Sequence, residues 1–176
     1  MSSDYLEDEQ QIADERMTDE VFDCGALHRP VNDLPELQPV VGVSPDTSVR
    51  DAIKEMTTQR VGCLLVIEDE QLTGVFSERD VLTRVAASGM DIDATQVSEV
   101  MTQRPETLAA GSELVYALHK MAIGGYRHVP LLNDGGFPVA VVSMRDIVGY
   151  IVSLYQKEVL NLPDPETPAP ENREGA

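Results

Sequence analysis

Apolar residues recur every three or four positions in two stretches of the chain. Val49, Ala52, Ile53 and Met56 form the first stripe, and Leu114, Ala117, Leu118 and Met121 form the second. This spacing predicts helices with one face turned to a core. Ser48 and Ser112 stand as N-caps, the helices run through Arg60 and Ile123, and Gly124-Gly125 reads as a C-cap. Each stripe is followed by two short apolar runs about a turn. GCLLVIED and LTGVFS flank Asp69-Glu70, and HVPLLN and PVAVVS flank Asp134-Gly135-Gly136. Such runs predict β-hairpins. A short strand precedes each helix, at Val40, Val41 and Val43 and again from Glu106 to Ala109. A second helix leaves each hairpin, from Glu78 to near Gly89 and from Met144 to about Leu160. The order is β-α-β-β-α, twice, which predicts an α/β (α+β) fold.

The two halves are copies of one unit. At an offset of sixty-five, Ala52 matches Ala117, Met56 matches Met121 and Leu64 matches Val129. One extra residue in the second hairpin makes the offset sixty-six, and Ser77, Arg79 and Asp80 then fall on Ser143, Arg145 and Asp146. A fixed period of this kind marks an internal repeat. Taken singly, Ser-x-x-Asp after a strand is a capping box with Asp in place of Glu or Gln, because a helix start favours a carboxylate. The stretches SPDTSVRDAIKEM, GVFSERDVLTRVA, VSEVMT, GYRHVPLLND and VVSMRDIVGYI together resemble tandem CBS domains, adenosine-ligand-sensing repeats that associate into a Bateman module. The resemblance covers roughly residues 38–160. It implies a pseudo-twofold pair of repeats, 38–95 and 96–160.

A nucleoside site needs a carboxylate for the ribose hydroxyls, an apolar slot for the base and fixed positive charge for phosphate. Asp146 accepts hydrogen bonds from both hydroxyls when ionised, and Ser143 adds another polar group one turn earlier. Arg127, just before a buried strand, offers a guanidinium fork that matches phosphate oxygens, with His128 beside it. The resemblance implies the ribose role for Ser143 and Asp146 and the phosphate role for Arg127, all within the second repeat. It places the base slot about Thr107, Leu108, Tyr126 and Pro130, and a ligand contact at Thr102. The first repeat keeps Ser77 and Asp80 but has Gly62 where the second has Arg127. Arg60 and Arg79 lie near, and Arg79 can turn inward, yet neither holds the matching position. The expectation is a weaker phosphate grip in that cleft, suited to an uncharged adenosine derivative. AMP, ADP or ATP is the expected ligand, with NAD and S-adenosylmethionine as alternatives.

Charge narrows the partners. The chain of 176 residues carries a net −18, and residues 1–37 hold eleven acids against two bases. Such a balance opposes binding to nucleic acid polymers or anionic lipid. Residues 1–37 read as an acidic arm, partly disordered, with an extended Pro-containing lead-in at 24–39; residues 161–176 read as a disordered acidic tail. The connector at 89–101 carries Val97 and Val100 and is expected to lie against the domain rather than swing freely. No apolar run is long enough to span a membrane. The N-terminus shows no signal-peptide pattern, and Cys24 and Cys63 are too few for a disulfide framework, so a reducing cytoplasm is the expectation. His28, His119 and His128 have no metal-ligand spacing. No nucleophile setting or P-loop is present, so no enzyme is expected. The last helix is apolar on two sides, with Ile147, Ile151 and Leu154 on one and Val148, Val152, Tyr155 and Val159 on the other. A second apolar face predicts a homodimer formed through the repeat helices. The leading function is a stand-alone sensor that signals to an effector protein in trans; the alternative is a ligand-free dimerisation scaffold.

Overall fold

The computed structural model describes residues 24–154. Of the expected features, the arm over 1–23, the continuation of the last helix to Leu160 and the tail at 161–176 lie outside the described residues. Two copies of one plan fill the rest. In the first, β1 (Gly42–Val43) is followed by α1 (Val49–Gln59), then by β2 (Cys63–Glu68) and β3 (Gln71–Ser77). The following helix, α2, opens at Glu78–Asp80 and continues with π-helical spacing over Val81–Ala86. A short α3 (Val97–Val100) and β4 (Thr102–Gln103) cross to the second copy, which comprises β5 (Leu108–Ala109), α4 (Leu114–Gly124), β6 (His128–Leu132), β7 (Pro138–Ser143) and α5 (Met144–Leu154). Among the described residues no helix is long and apolar enough to cross a membrane.

The hairpins form where the turn residues place them. Asp69 and Glu70 both have positive φ, 49° and 64°, the backbone of the two-residue turn that matches strand twist. At the second hairpin Asn133 Oδ1 accepts from the N–H groups of Gly135 and Phe137 at 2.9 and 3.0 Å, and Gly136 takes φ 80°. β1 pairs parallel to β2 and β5 parallel to β6, as the intervening helices require. The run Cys63–Val66 is buried residue after residue, because both faces of β2 are covered. Leu64 and Val66 pack with Val49, Ala52 and Met56 of α1, whereas Cys63 and Leu65 pack with Val75 and with Val141 of the other copy. Burial, with smaller contributions from Glu78 and Asp80, pushes the Cys63 thiol up to about 12, so it stays protonated.

Each copy is completed by the segment that leads into the other. Val97 and Val100 are buried with Val49, Ala52 and Met56 of the first copy, and β4 adds to the edge of β3 through Val75↔Thr102. Reciprocally, Val31 and Leu34 are buried with Leu114, Ala117 and Met121 of the second copy, and Gln38 bridges to Val141 of β7. The lead-in at 24–39 is therefore not simply extended. It forms 3-10 turns at Cys24–His28 and Val31–Asp33, because Val31 and Leu34 have a core to enter. The same exchange changes a cap. Ser48 Oγ caps α1 by accepting from Asp51 N at 3.1 Å. Ser112 does not cap α4: its carbonyl accepts from Val31 N, the N-cap is Glu113, and Leu114 N donates to Arg29 O at 2.8 Å.

Candidate functional site

The strand-to-helix junctions are built alike in both copies. Glu78 N donates to Gly62 O at 3.1 Å, and Met144 N donates to Arg127 O at 2.9 Å, so the start of each hairpin fixes the start of the helix that leaves it. Ser77 N and Ser77 Oγ both donate to Asp80 Oδ2, at 2.9 and 2.6 Å. Ser143 N donates to Asp146 Oδ2 at 2.8 Å, and Asp146 N donates to Ser143 Oγ at 3.2 Å. Both pairs are thus helix caps in geometry. A carboxylate oxygen has lone pairs to spare after such bonds, so capping and ligand binding are compatible. Asp80 differs from the half-buried Asp146 in being buried, at 6 % exposure, and it lines a cavity of its own.

That cavity, about 450 Å³, is a cleft between the copies. Its volume falls within the roughly 300–1,000 Å³ of small-molecule sites. Ser77, Arg79 and Asp80 come from the first copy; Thr102 and Arg104 come from the crossing segment; Tyr126, Arg127 and His128 come from the start of the second hairpin. Apolar wall is supplied by Val75, Leu82 and Pro105. A smaller cavity of about 260 Å³ is lined by Leu34, Pro35, Glu36, Arg145, Asp146 and Tyr150, among others. Of the residues singled out in the sequence, seven meet at the larger cleft. Asp146 faces the smaller one. Ser143 and Pro130 are buried in strands and Thr107 is half-buried before β5, and none of the three lines either cavity; nor does Leu108.

Arg127, expected to act with Ser143 and Asp146, does not share a cavity with them. Arg127 lines the cleft of Ser77 and Asp80, because the exchanged segment Thr102–Glu106 carries the second copy across to α2. Gly62 makes room for this. A Cβ built on Gly62 would lie 2.9 Å from both Cε1 and Nε2 of His128. The position lacking an arginine in the sequence is thus where the other copy inserts its own side chains. Gly62 alone suggested a weaker phosphate grip beside Asp80, and Arg79, Arg104 and Arg127 all border that cleft.

Polar contacts set the cleft's field. Arg79 Nη1 donates to Gly125 O at 2.6 Å, bridging the two copies. Glu106 pairs with Lys120. Burial lowers the His128 pKa, as Arg127 also does in smaller measure, while Glu78 and Asp146 oppose the shift. Burial raises the Tyr126 phenol, with Glu106 adding and Lys120 opposing. Arg104 was not singled out from the sequence. It stands before Pro105, a place that favours extended backbone, yet it has φ 47°. Left-handed backbone costs a residue with a Cβ about 1–2 kcal/mol. The only signal available in the sequence was a basic residue two positions beyond Thr102.

Comparison with known proteins matches the family model of the CBS domain to residues 31–87 and again to 97–153. CBS domain-containing protein CBSCBSPB1 of Arabidopsis thaliana is 36 % identical over 111 residues, covering 63 % of this chain and 20 % of that protein. The mitochondrial CBS domain-containing protein CBSX3 of the same plant is 31 % identical over 122 residues, covering 66 % of this chain and 59 % of that protein. The chain therefore spans between a fifth and three-fifths of the length of these curated relatives. Among solved structures, CBS domain protein PAE2072 of Pyrobaculum aerophilum, complexed with AMP, superposes with a TM-score of 0.64 at 26 % identity, covering 72 % of this chain and 98 % of that one.

Proposed function

The chain belongs to the CBS domain family, with two copies in tandem, and from that premise we propose that it is a regulatory module, not an enzyme, which binds an adenine nucleotide in the cleft beside Asp80. The observation that carries this reading is the meeting of a buried carboxylate with Arg127 and Arg104 from across the repeat boundary, around one cavity. Asp80 would accept from the ribose hydroxyls, Val75 and Leu82 would flank the base, and the guanidiniums would hold phosphate. The AMP complex of the Pyrobaculum protein supports the ligand class. The phosphates of AMP, ADP or ATP would meet Arg79, Arg104 and Arg127, with Glu78 and Glu106 opposing; NAD and S-adenosylmethionine serve as comparison ligands.

Because the ligand would touch both copies, it would bias their relative packing by its difference in affinity for the two arrangements. The readout would pass to an effector protein in trans. A homodimer suits the exposed apolar residues of the repeat helices, with Tyr116 and Ile123 seven residues apart on α4 and Val148 and Leu154 on α5. A reducing compartment, the cytoplasm, suits the buried free thiol of Cys63.

The test is thermal unfolding with each of the five ligands, alongside an assay for their turnover. A ligand at a hundred times its Kd should stabilise the protein by about 2.7 kcal/mol. The proposal expects this from an adenine nucleotide, recovered unchanged. No shift from any ligand in a folded protein would favour the scaffold reading, and consumption of a ligand would make the protein an enzyme.

A further inference from the structure

One guanidinium connects the carboxylate of the cleft to the polypeptide that crosses between the repeats. Arg84 Nε lies 3.3 Å from Asp80 Oδ1, four residues earlier on the same helix. Its Nη1 donates to the carbonyls of Val100 and Met101 at 2.8 and 2.6 Å, and its Nη2 to Thr102 Oγ1 at 3.2 Å. Val100 and Met101 end α3, where free carbonyls favour a cation. Thr102 is both a wall of the cleft and the first residue of β4. Gly74, opposite, leaves space for the Met101 side chain, which a Cβ there would strike. Arg84 sits in the π-helical part of α2, an irregularity that frequently marks functional positions.

The second copy lacks this arrangement. The sixty-six-residue offset puts Tyr150 at the place of Arg84. There the guanidinium comes from the lead-in, with Arg29 5.9 Å over the Tyr150 ring and its Nη1 3.3 Å from the phenol oxygen. Among the described residues Asp146 has no ion pair, whereas Asp80 has Arg84.

We propose that Arg84 is the positioning residue of the nucleotide cleft, holding Asp80 on one wall and the segment Val100–Thr102 on the other, so that occupancy of the cleft is felt at the crossing strand. The inference rests on the reading of that cleft as a nucleotide site. A ribose hydroxyl donating to Asp80 Oδ1 shares that oxygen with Arg84 Nε, and any movement of the guanidinium is transmitted to three groups of the crossing segment.

The experiment compares wild type with Arg84→Met and Arg84→Lys, using Arg50→Gln as control because it breaks an exposed arginine pair, with Asp93, on the same repeat. Amide exchange without ligand reads the clamp, and calorimetric titration with AMP and ATP, followed by exchange in the bound state, reads the coupling. Arg84→Met should speed exchange at Ser77 and Thr102 and weaken nucleotide binding about tenfold, the scale of losing one charge-assisted hydrogen bond. Arg84→Lys should recover part of the affinity while failing to carry ligand-induced protection to 100–102. Arg50→Gln should match wild type. Equal affinity and equal protection in wild type and both Arg84 variants would overturn the role of Arg84 while leaving the cleft intact. Failure of wild type itself to bind either nucleotide would overturn the site and the coupling together, whatever the exchange rates show.

Discussion

Gly62→Ala adds a single methyl group, yet it probes the contact between the repeats. The new Cβ would stand 2.9 Å from Cε1 and Nε2 of His128 and 3.7 Å from Glu78 Oε2. Optimal carbon contacts lie near 3.5–4.0 Å, so the ring must retreat by about 0.6–1 Å. The His128 ring is half-buried, and its retreat draws on the cleft that it lines. Overpacking of this kind costs roughly 1–3 kcal/mol; because the opposing atoms end a side chain, the lower limit, about 1 kcal/mol, is expected. Urea unfolding of Gly62→Ala, His128→Ala and the double variant gives the coupling directly. The double variant should be less destabilised than the sum of the singles by about that 1 kcal/mol. Strict additivity would refute the contact, and with it the view that Gly62 is small to admit the other repeat.

Two further outcomes test the fold and its electrostatics. Val31 is fully buried in the core of the second repeat although it precedes the first; Val31→Ala removes two methyl groups and should cost about 2 kcal/mol by calorimetry or denaturant unfolding, whereas an ornamental lead-in would give no change. His128 has a pKa lowered from its ordinary 6.5, chiefly by burial. Between the lowered value and about 6.5 the unfolded chain holds a proton that the folded chain lacks, so stability should rise with pH across that window and level off above it. Unfolding measured at several pH values should show this slope in wild type, and His128→Gln should reduce it.

Much of the architecture was legible in the sequence because it is local. Helical stripes, the Asp69-Glu70 turn and the Ser-x-x-Asp caps each depend on residues within a few positions, and the offset of sixty-five or sixty-six exposed the duplication. What was not legible is where each lead-in goes. Val31, Leu34, Val97 and Val100 are ordinary apolar residues in short segments, and nothing in their spacing states that each pair enters the opposite core. The resemblance groups Arg127 with Asp146 within one repeat; that Arg127 lines a cavity with Ser77 and Asp80 depends on long-range packing, including the pairing of β3 with β4. Arg84 escaped notice for a related reason. On a helical wheel it is one more exposed basic residue, and its partners Val100, Met101 and Thr102 lie sixteen to eighteen residues away.

The decisive question is which carboxylate a nucleotide meets. Calorimetric titration of AMP and ATP into wild type, Asp80→Ala and Asp146→Ala asks this directly, with circular dichroism confirming that each variant is folded. The account predicts binding by wild type, loss of binding in Asp80→Ala and retention in Asp146→Ala. Loss in Asp146→Ala with binding intact in Asp80→Ala would contradict it and move the site to the smaller cleft.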